Sequence, residues 1–216
     1  MTEPSAKLYY VHDPMCSWCW GFRPVLLDLR KRLPRGIAFI TRVGGLAPDS
    51  DEPMPPGMRE DLQATWRRIQ QTIPGTEFNL DFWKLTTPRR STYPACRAAI
   101  SARLMADLED RMTYGIQQAY YLQARNPSDV DTLVSVAQSI GLDAKEFEQR
   151  LLSPAIDQDL RNELALVRDM GVSSFPSLVI ESGIHLLDIP IDYLKAEPML
   201  ETVQDFVSDH RPEPGA

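Results

Sequence analysis

Cysteine is scarce in this chain: 216 residues contain three, too few for a disulfide scaffold. Histidine is equally scarce, also three, and there is no second C-x-x-C, so a closed four-ligand zinc site would have to gather scattered residues. No apolar run approaches the roughly 18 residues of a membrane span. The opening MTEPSAKLYYVHD holds an acid and a proline, not a basic segment followed by an apolar core, so a secretory signal is not expected. With Met1 as the true start, the expectation is a cytoplasmic protein that does not touch membrane. Basic stripes are also missing. The formal charge is −7, and the short RKR run at Arg30–Arg32 reads as the solvated end of a helix, which argues against a nucleic-acid partner. No internal repeat is visible. What remains is an ordinary globular composition, 43% hydrophobic and 25% charged, long enough for one large domain or one domain carrying an insertion.

Lys7–His12 is a short run of β-formers and reads as a strand. Phe22, Val25, Leu26, Leu29 and Leu33 then recur at helical spacing, with Pro24 inside the stretch able to remove one helical hydrogen bond and kink it. Ile37–Gly45 is a second strand, which completes a βαβ pattern. After the proline-rich loop at Asp49–Gly57 the pattern is helical to about Met170. Candidate helices there cover Met58–Ile73, Phe78–Leu85, Thr92–Leu108, Met112–Gln123 and the stretch from Val130. Another is capped by Asp143 with Glu146 three residues on, and a last long one is closed by Gly171. Pro176–Pro190 reads as a hairpin turning at Glu181–Gly183, Asp192–Val207 as a final helix, and the tail DHRPEPGA as loose. The order βαβ, helices, ββα predicts an α/β fold split by a large all-helical insertion. One domain is expected over 1–48 plus 171–216, with the insertion over 49–170.

The chemistry sits in DPMCSWCWGF, residues 13–22. Cys16 falls where the first strand gives way to a helix. The unpaired N–H groups and positive dipole end of a helix start favour a thiolate. Cys19 is one turn on, close enough to form a disulfide with Cys16. Such a pair supplies an attacking thiol, Cys16, and a resolving thiol, Cys19. Ser17 and Trp18 between them bring no cation, so backbone N–H groups must do most of the stabilising, with His12 and Lys7 as candidate neighbours. Trp18, Trp20 and Phe22 either form an apolar rim for substrate or anchor the helix in the core. Half of a zinc or iron–sulfur site and an inert core pair are the rival readings. C-x-x-C in a βαβ context favours redox work.

A second signal is GVSSFPSLVI, residues 171–180. Pro176 stands at a strand start, where a missing N–H is harmless. It is either a plain trans proline or a cis turn that carries Phe175 to the cysteines. Cys96, in the Ala-rich helix of the insertion, is either buried packing or a third thiol facing the pair.

These two segments resemble the DsbA-like branch of the thioredoxin superfamily, including FrnE-like and predicted disulfide-isomerase proteins. The likeness runs from about Lys7 to Phe206. It implies a thioredoxin-like fold, with Cys16 as nucleophile, Cys19 as resolving cysteine, and Pro176 as a cis proline preceded by Phe175. Ser17-Trp18 stands where the family's strong oxidases have Pro-His, which argues against a strong oxidant.

The expected function is thiol–disulfide exchange on protein or small-thiol disulfides, including extended protein segments. Catalysis falls to Cys16 and Cys19, substrate contact to Phe175, Pro176, Trp18 and Trp20, and accessory roles to His12 and Cys96. No metal or cofactor is required, and glutathione or a thioredoxin-type partner would reset the pair. Direction and oligomeric state stay open. The alternatives are a glutathione-dependent transferase or isomerase, a non-enzymatic chaperone or binding module, and a metal-binding protein.

Overall fold

The computed structural model describes residues 6–210. The opening MTEPS and the tail beyond His210, expected to be loose, lie outside the described residues.

Strand β1 (Ala6–His12) pairs in parallel with β2 (Ile37–Val43) and antiparallel with β3 (Ser177–Ser182), which pairs antiparallel with β4 (His185–Ile189). The sheet order is β2-β1-β3-β4. Central β1 is buried at every position but Lys7 because both its faces are covered. Alternation puts Leu8 and Tyr10 on one face, against Phe22, Leu26 and Leu29 of α1 (Ser17–Arg32) and Met199, Val203 and Phe206 of α9 (Glu197–Asp209). Tyr9 and Val11 take the other face, packed with Val179 and with Val167 of α8 (Pro154–Asp169). This is a thioredoxin-like core. Helix α1 runs unbroken through Pro24.

Between β2 and β3 lie α2 (Pro56–Thr72), α3 (Phe82–Leu85), α4 (Tyr93–Ala106), α5 (Glu109–Tyr121), α6 (Val130–Ser139), α7 (Ala144–Leu151) and α8. The insertion has its own core, built largely from rings. Trp66 lies 4.8 Å from Trp83 and Phe82 lies 4.7 Å from Tyr120, centroid to centroid. At the expected α7 start, Asp143 Oδ1 accepts the Glu146 N–H at 2.8 Å, and Gly171 (φ +77°) ends the α8 segment in a left-handed conformation that glycine adopts freely.

Two helices are shorter at their starts than the periodicity predicts. The last begins at Glu197 rather than Asp192 because the Asp192 carboxylate accepts the Leu194 and Lys195 N–H groups and closes a separate turn. The Phe78–Leu85 helix is reduced to α3. Asn79 gives its backbone N–H to the Tyr121 carbonyl at 2.6 Å and its side chain to the Leu122 carbonyl, so this stretch is docked on α5. Asp209 and His210, expected to belong to the loose tail, are held: α9 runs to Asp209, and the His210 carbonyl accepts the Ser182 hydroxyl at 3.2 Å.

A buried ionic knot ties the insertion to the sheet. Arg103 of α4 pairs with Glu109 of α5 at 3.2 Å and with Glu163 of α8. Glu163 accepts the Val43 N–H of β2 and Glu109 accepts the Thr41 hydroxyl, both at 2.6 Å. Removing the cation leaves two buried carboxylates facing each other. Arg103→Leu is therefore expected to lower unfolding free energy by about 3–5 kcal/mol, read from urea midpoints. A loss under about 1 kcal/mol would show the knot to be dispensable.

Candidate active site

Cys16 is the N-cap of α1 and Cys19 lies in its first turn. The Cys16 N–H donates to the Asp13 carbonyl at 2.9 Å, which closes the turn after β1. The Cys19 N–H then points at Cys16 Sγ, 3.4 Å away. From the far side the Cys16 thiol meets the Phe175 carbonyl, also at 3.4 Å. All three cysteines are free thiols. Cys16 keeps 6% of its surface exposed and Cys19 none, so Cys16 is the more accessible of two buried cysteines. Burial, with the Cys16 sulfur next, pushes the Cys19 thiol up well above the usual range.

Strand register brings Phe175 here. Val11 pairs with Ser177, so the chain just before β3 must lie beside the end of β1 and the loop that follows it. The Phe175–Pro176 bond is cis, as the resemblance implies. Gly44 completes the fit, because a Cβ there would fall 2.0 Å from two carbons of the Phe175 ring.

Beneath the loop lies Asp13, fully buried. Its carboxylate accepts the Met15 and Leu46 N–H groups at 2.7 Å, the Thr92 hydroxyl at 2.6 Å and the Cys96 thiol at 3.6 Å. Burial pushes this carboxyl up in spite of those donors. Sequence reasoning missed both Asp13 and Gly44. An acid one residue beyond a buried strand and a glycine pair at a strand end are weak signals, and neither reveals its neighbours.

The remaining predicted residues are placed as follows. Cys96 is wholly buried, and its thiol is spent on Asp13. Trp20 is tethered by its indole N–H to the Glu77 carbonyl at 3.0 Å and stacks on Tyr121 at 5.7 Å, so it binds α1 to the insertion. Trp18 is half-buried against Tyr193 at 4.9 Å, with the Arg68 guanidinium 5.6 Å above its ring. Lys7 pairs with Glu181 at 3.1 Å. His12 lies behind Cys19, stacked on Tyr10 at 5.0 Å. A groove of about 700 Å³ runs along Trp20, Pro24, Leu27, Ile73 and Tyr114 but includes neither cysteine. Among the described residues, no group of three or more His, Cys, Asp or Glu is placed to hold a metal, and no helix is long and apolar enough to cross a membrane.

Burial depresses the His12 imidazole to about 4, against an opposing pull from Asp110, with Arg23 and Arg103 adding smaller downward pushes. The unfolded chain therefore binds that proton more tightly. The stabilising contribution is fully present above about pH 6.5 and is lost as pH falls toward 4, about 3 kcal/mol in all. Asp13 and Glu109, both pushed up by burial, act in the opposite sense. The effect is thus best read as a difference: relative to His12→Phe, the native chain should lose about that amount between pH 6.5 and 4 in urea titrations. A pH-independent difference would contradict it. Separately, Gly44→Ala must displace the Phe175 ring and carbonyl. It is expected to slow reaction of Cys16 with a small disulfide about tenfold, and an unchanged second-order rate would remove Phe175 from the site.

A family model described as a DSBA-like thioredoxin domain matches residues 8–193. The chain is 32% identical over 178 residues to the ClpXP adapter protein SpxH of Halalkalibacterium halodurans, covering 80% of this chain and 58% of that one. It thus spans under two thirds of the length of the curated relatives it matches. Among solved structures, a provisionally assigned protein disulfide isomerase from Nitrosomonas europaea superposes with a TM-score of 0.83 at 27% identity, covering 95% of this chain and 99% of that one. The cytosolic disulfide reductase DsbM from Pseudomonas aeruginosa superposes at 0.75 and 23% identity, covering 94% and 98%.

Proposed function

Because the chain belongs to the DSBA-like thioredoxin domain family, we propose that it is a cytoplasmic thiol–disulfide oxidoreductase in which Cys16 attacks and Cys19 resolves. The observation that carries this reading is the pairing of a cysteine at a helix N-cap that keeps a little exposure with a wholly buried cysteine one turn on, its N–H on the first sulfur. The Cys16 thiolate attacks one sulfur of a substrate disulfide, and the substrate's other half leaves as a thiol. Cys19 then attacks Cys16 Sγ, the Cys16–Cys19 bond forms and the second substrate thiol departs. A reductant returns the pair to dithiol. The Phe175 carbonyl beside Cys16 and the buried Pro176 ring offer an extended substrate segment one main-chain acceptor and one apolar contact.

Location in the cytoplasm and glutathione as reductant draw support from DsbM, described as a cytosolic disulfide reductase and solved with GSH. A second reading, an adapter or holdase that needs no redox step, is favoured by the 32% identity to SpxH.

Equilibration in glutathione buffers, followed by alkylation and mass measurement, should show reversible two-electron oxidation confined to Cys16 and Cys19. A potential near about −270 mV would mark a reductase and one near about −120 mV an oxidant. Cys19→Ser should accumulate a mixed disulfide on Cys16. If no reversible disulfide forms, and Cys16→Ser still protects an unfolded client from aggregation, the adapter reading replaces the redox one.

A further inference from the structure

Trp18 stands between the two cysteines in the first turn of α1 and is half-buried against Tyr193. Above its ring, 5.6 Å from the centroid, is the guanidinium of Arg68, within the range of a cation–π contact. The helix that carries Arg68 is fixed there by its next residue. Ile69 is wholly buried, and a Cβ on Gly21 would fall 3.1 Å from Ile69 and 2.7 Å from Ile73. The last turn of α2 therefore lies directly on the start of α1, just past Cys19. Arg68 is unlike the arginines that hold the fold together. Arg23, Arg89, Arg97 and Arg103 each pair with a carboxylate. Arg68 is exposed and, among the described residues, pairs with none. Its fork of N–H donors is open to a ligand. The chain carries a formal charge of −7, so its field as a whole repels anions. An uncommitted cation on the residue between the cysteines reverses that locally.

We propose, on the basis of the thiol–disulfide reading above, that Arg68, held over Trp18, is a specificity residue for disulfides that carry a carboxylate within a few atoms of the sulfur. Carboxylate is the anion that amino-acid thiols bring with them, as a chain terminus or as an acidic side chain beside the cysteine. Arg68 donates N–H groups to that carboxylate, and the Trp18 ring lies beneath the atoms that join it to the sulfur. The Cys16 thiolate then attacks the nearer sulfur. The bond from Cys16 to that sulfur forms, the substrate S–S bond breaks, and the far half leaves with the electron pair as a thiolate that takes a proton from solvent. Cys16 is oxidised and the departing half is reduced. Arg68 exchanges neither proton nor electron; it raises encounter and fixes orientation. A neutral disulfide of the same length loses the anchor, and a cationic one meets repulsion.

The test uses the reduced full chain and three aliphatic disulfides of similar length: dithiodipropionate with two carboxylates, hydroxyethyl disulfide with none, and cystamine with two ammonium groups. Second-order rates at Cys16 are read by acid quench, alkylation and mass. Each is divided by the rate of free mercaptoethanol with the same disulfide, which removes the reagent's own reactivity. The native chain should favour the dianion over the dication about tenfold at low salt, and about 0.5 M salt should shrink the preference. Arg68→Met should cut it about fivefold while the rate with hydroxyethyl disulfide stays unchanged. Arg68→Lys should keep part of it. Arg67→Met, which removes an equal charge one residue away, should keep it all. Glutathione disulfide and a disulfide-linked peptide with Asp beside its cysteine then separate a small thiol from a protein segment as the source of the carboxylate, since the one that Arg68→Met slows is the source. A native chain without the preference, or a preference that survives Arg68→Met, overturns the proposal. So does an equal loss in Arg67→Met, which marks the general field, and so does equal slowing with all three disulfides, which marks disturbed packing of α2 on α1. If the native chain reacts with none of the three, the thiol–disulfide reading itself fails and the proposal falls with it.

Discussion

The buried carboxylate of Asp13 is the contact on which the rest of the site depends. Its two oxygens hold the Met15 N–H of the cysteine loop, the Leu46 N–H beyond β2, the hydroxyl of Thr92 at the start of α4, and the Cys96 thiol within α4. Its backbone carbonyl receives the Cys16 N–H. One residue therefore joins the sheet, the first helix of the cysteine pair and the helical insertion. An acid with three short donors can stay buried where an acid without them could not. The consequence is positional: the loop that carries Cys16 is held from beneath, so its thiol meets Phe175 from above.

A second layer of constraint surrounds this anchor. The Arg103–Glu109–Glu163 knot and the rings around Trp66 hold the insertion against the sheet. Helix α8 belongs to both parts in packing terms, since Val167 lies on the strands while Leu160 and Leu164 meet Cys96 and Ile100 of α4. The insertion thus furnishes the wall behind Cys19 as well as a lobe of its own, through Thr113 and Gln117 of α5. The large groove beside Trp20 is lined by neither cysteine.

Much of this was legible in the residue order. Runs of β-formers announced the strands, helical spacing announced α1, α6 and α8, an Ala-rich run announced α4, a capping box announced α7, and the C-x-x-C between strand and helix located the thiols. Phe175–Pro176 was legible as a strand start, and its likeness to a known segment supplied the cis bond. Less was legible where side chains capture backbone groups. Asp192 and Asn79 each take up N–H or carbonyl groups that a helix would have used, and the periodicity carries on through such points unaware. Trp20 read equally well as rim or anchor, because a half-buried indole looks the same in sequence whichever neighbour covers it.

The sequence by itself determined the class of fold, the pairing of Cys16 with Cys19 and their order along a helix start. These follow from local periodicity and from spacing within one turn, which depend on neighbours in the chain. Only the tertiary structure decided that Cys96 is spent on Asp13, that Gly44 makes room for Phe175, and that His12 meets Thr113 and Gln117 across a cavity. Those contacts join residues from 83 to 131 positions apart. They exist only because the sheet register and the docking of α4 and α5 close on one another, and no local pattern encodes that closure.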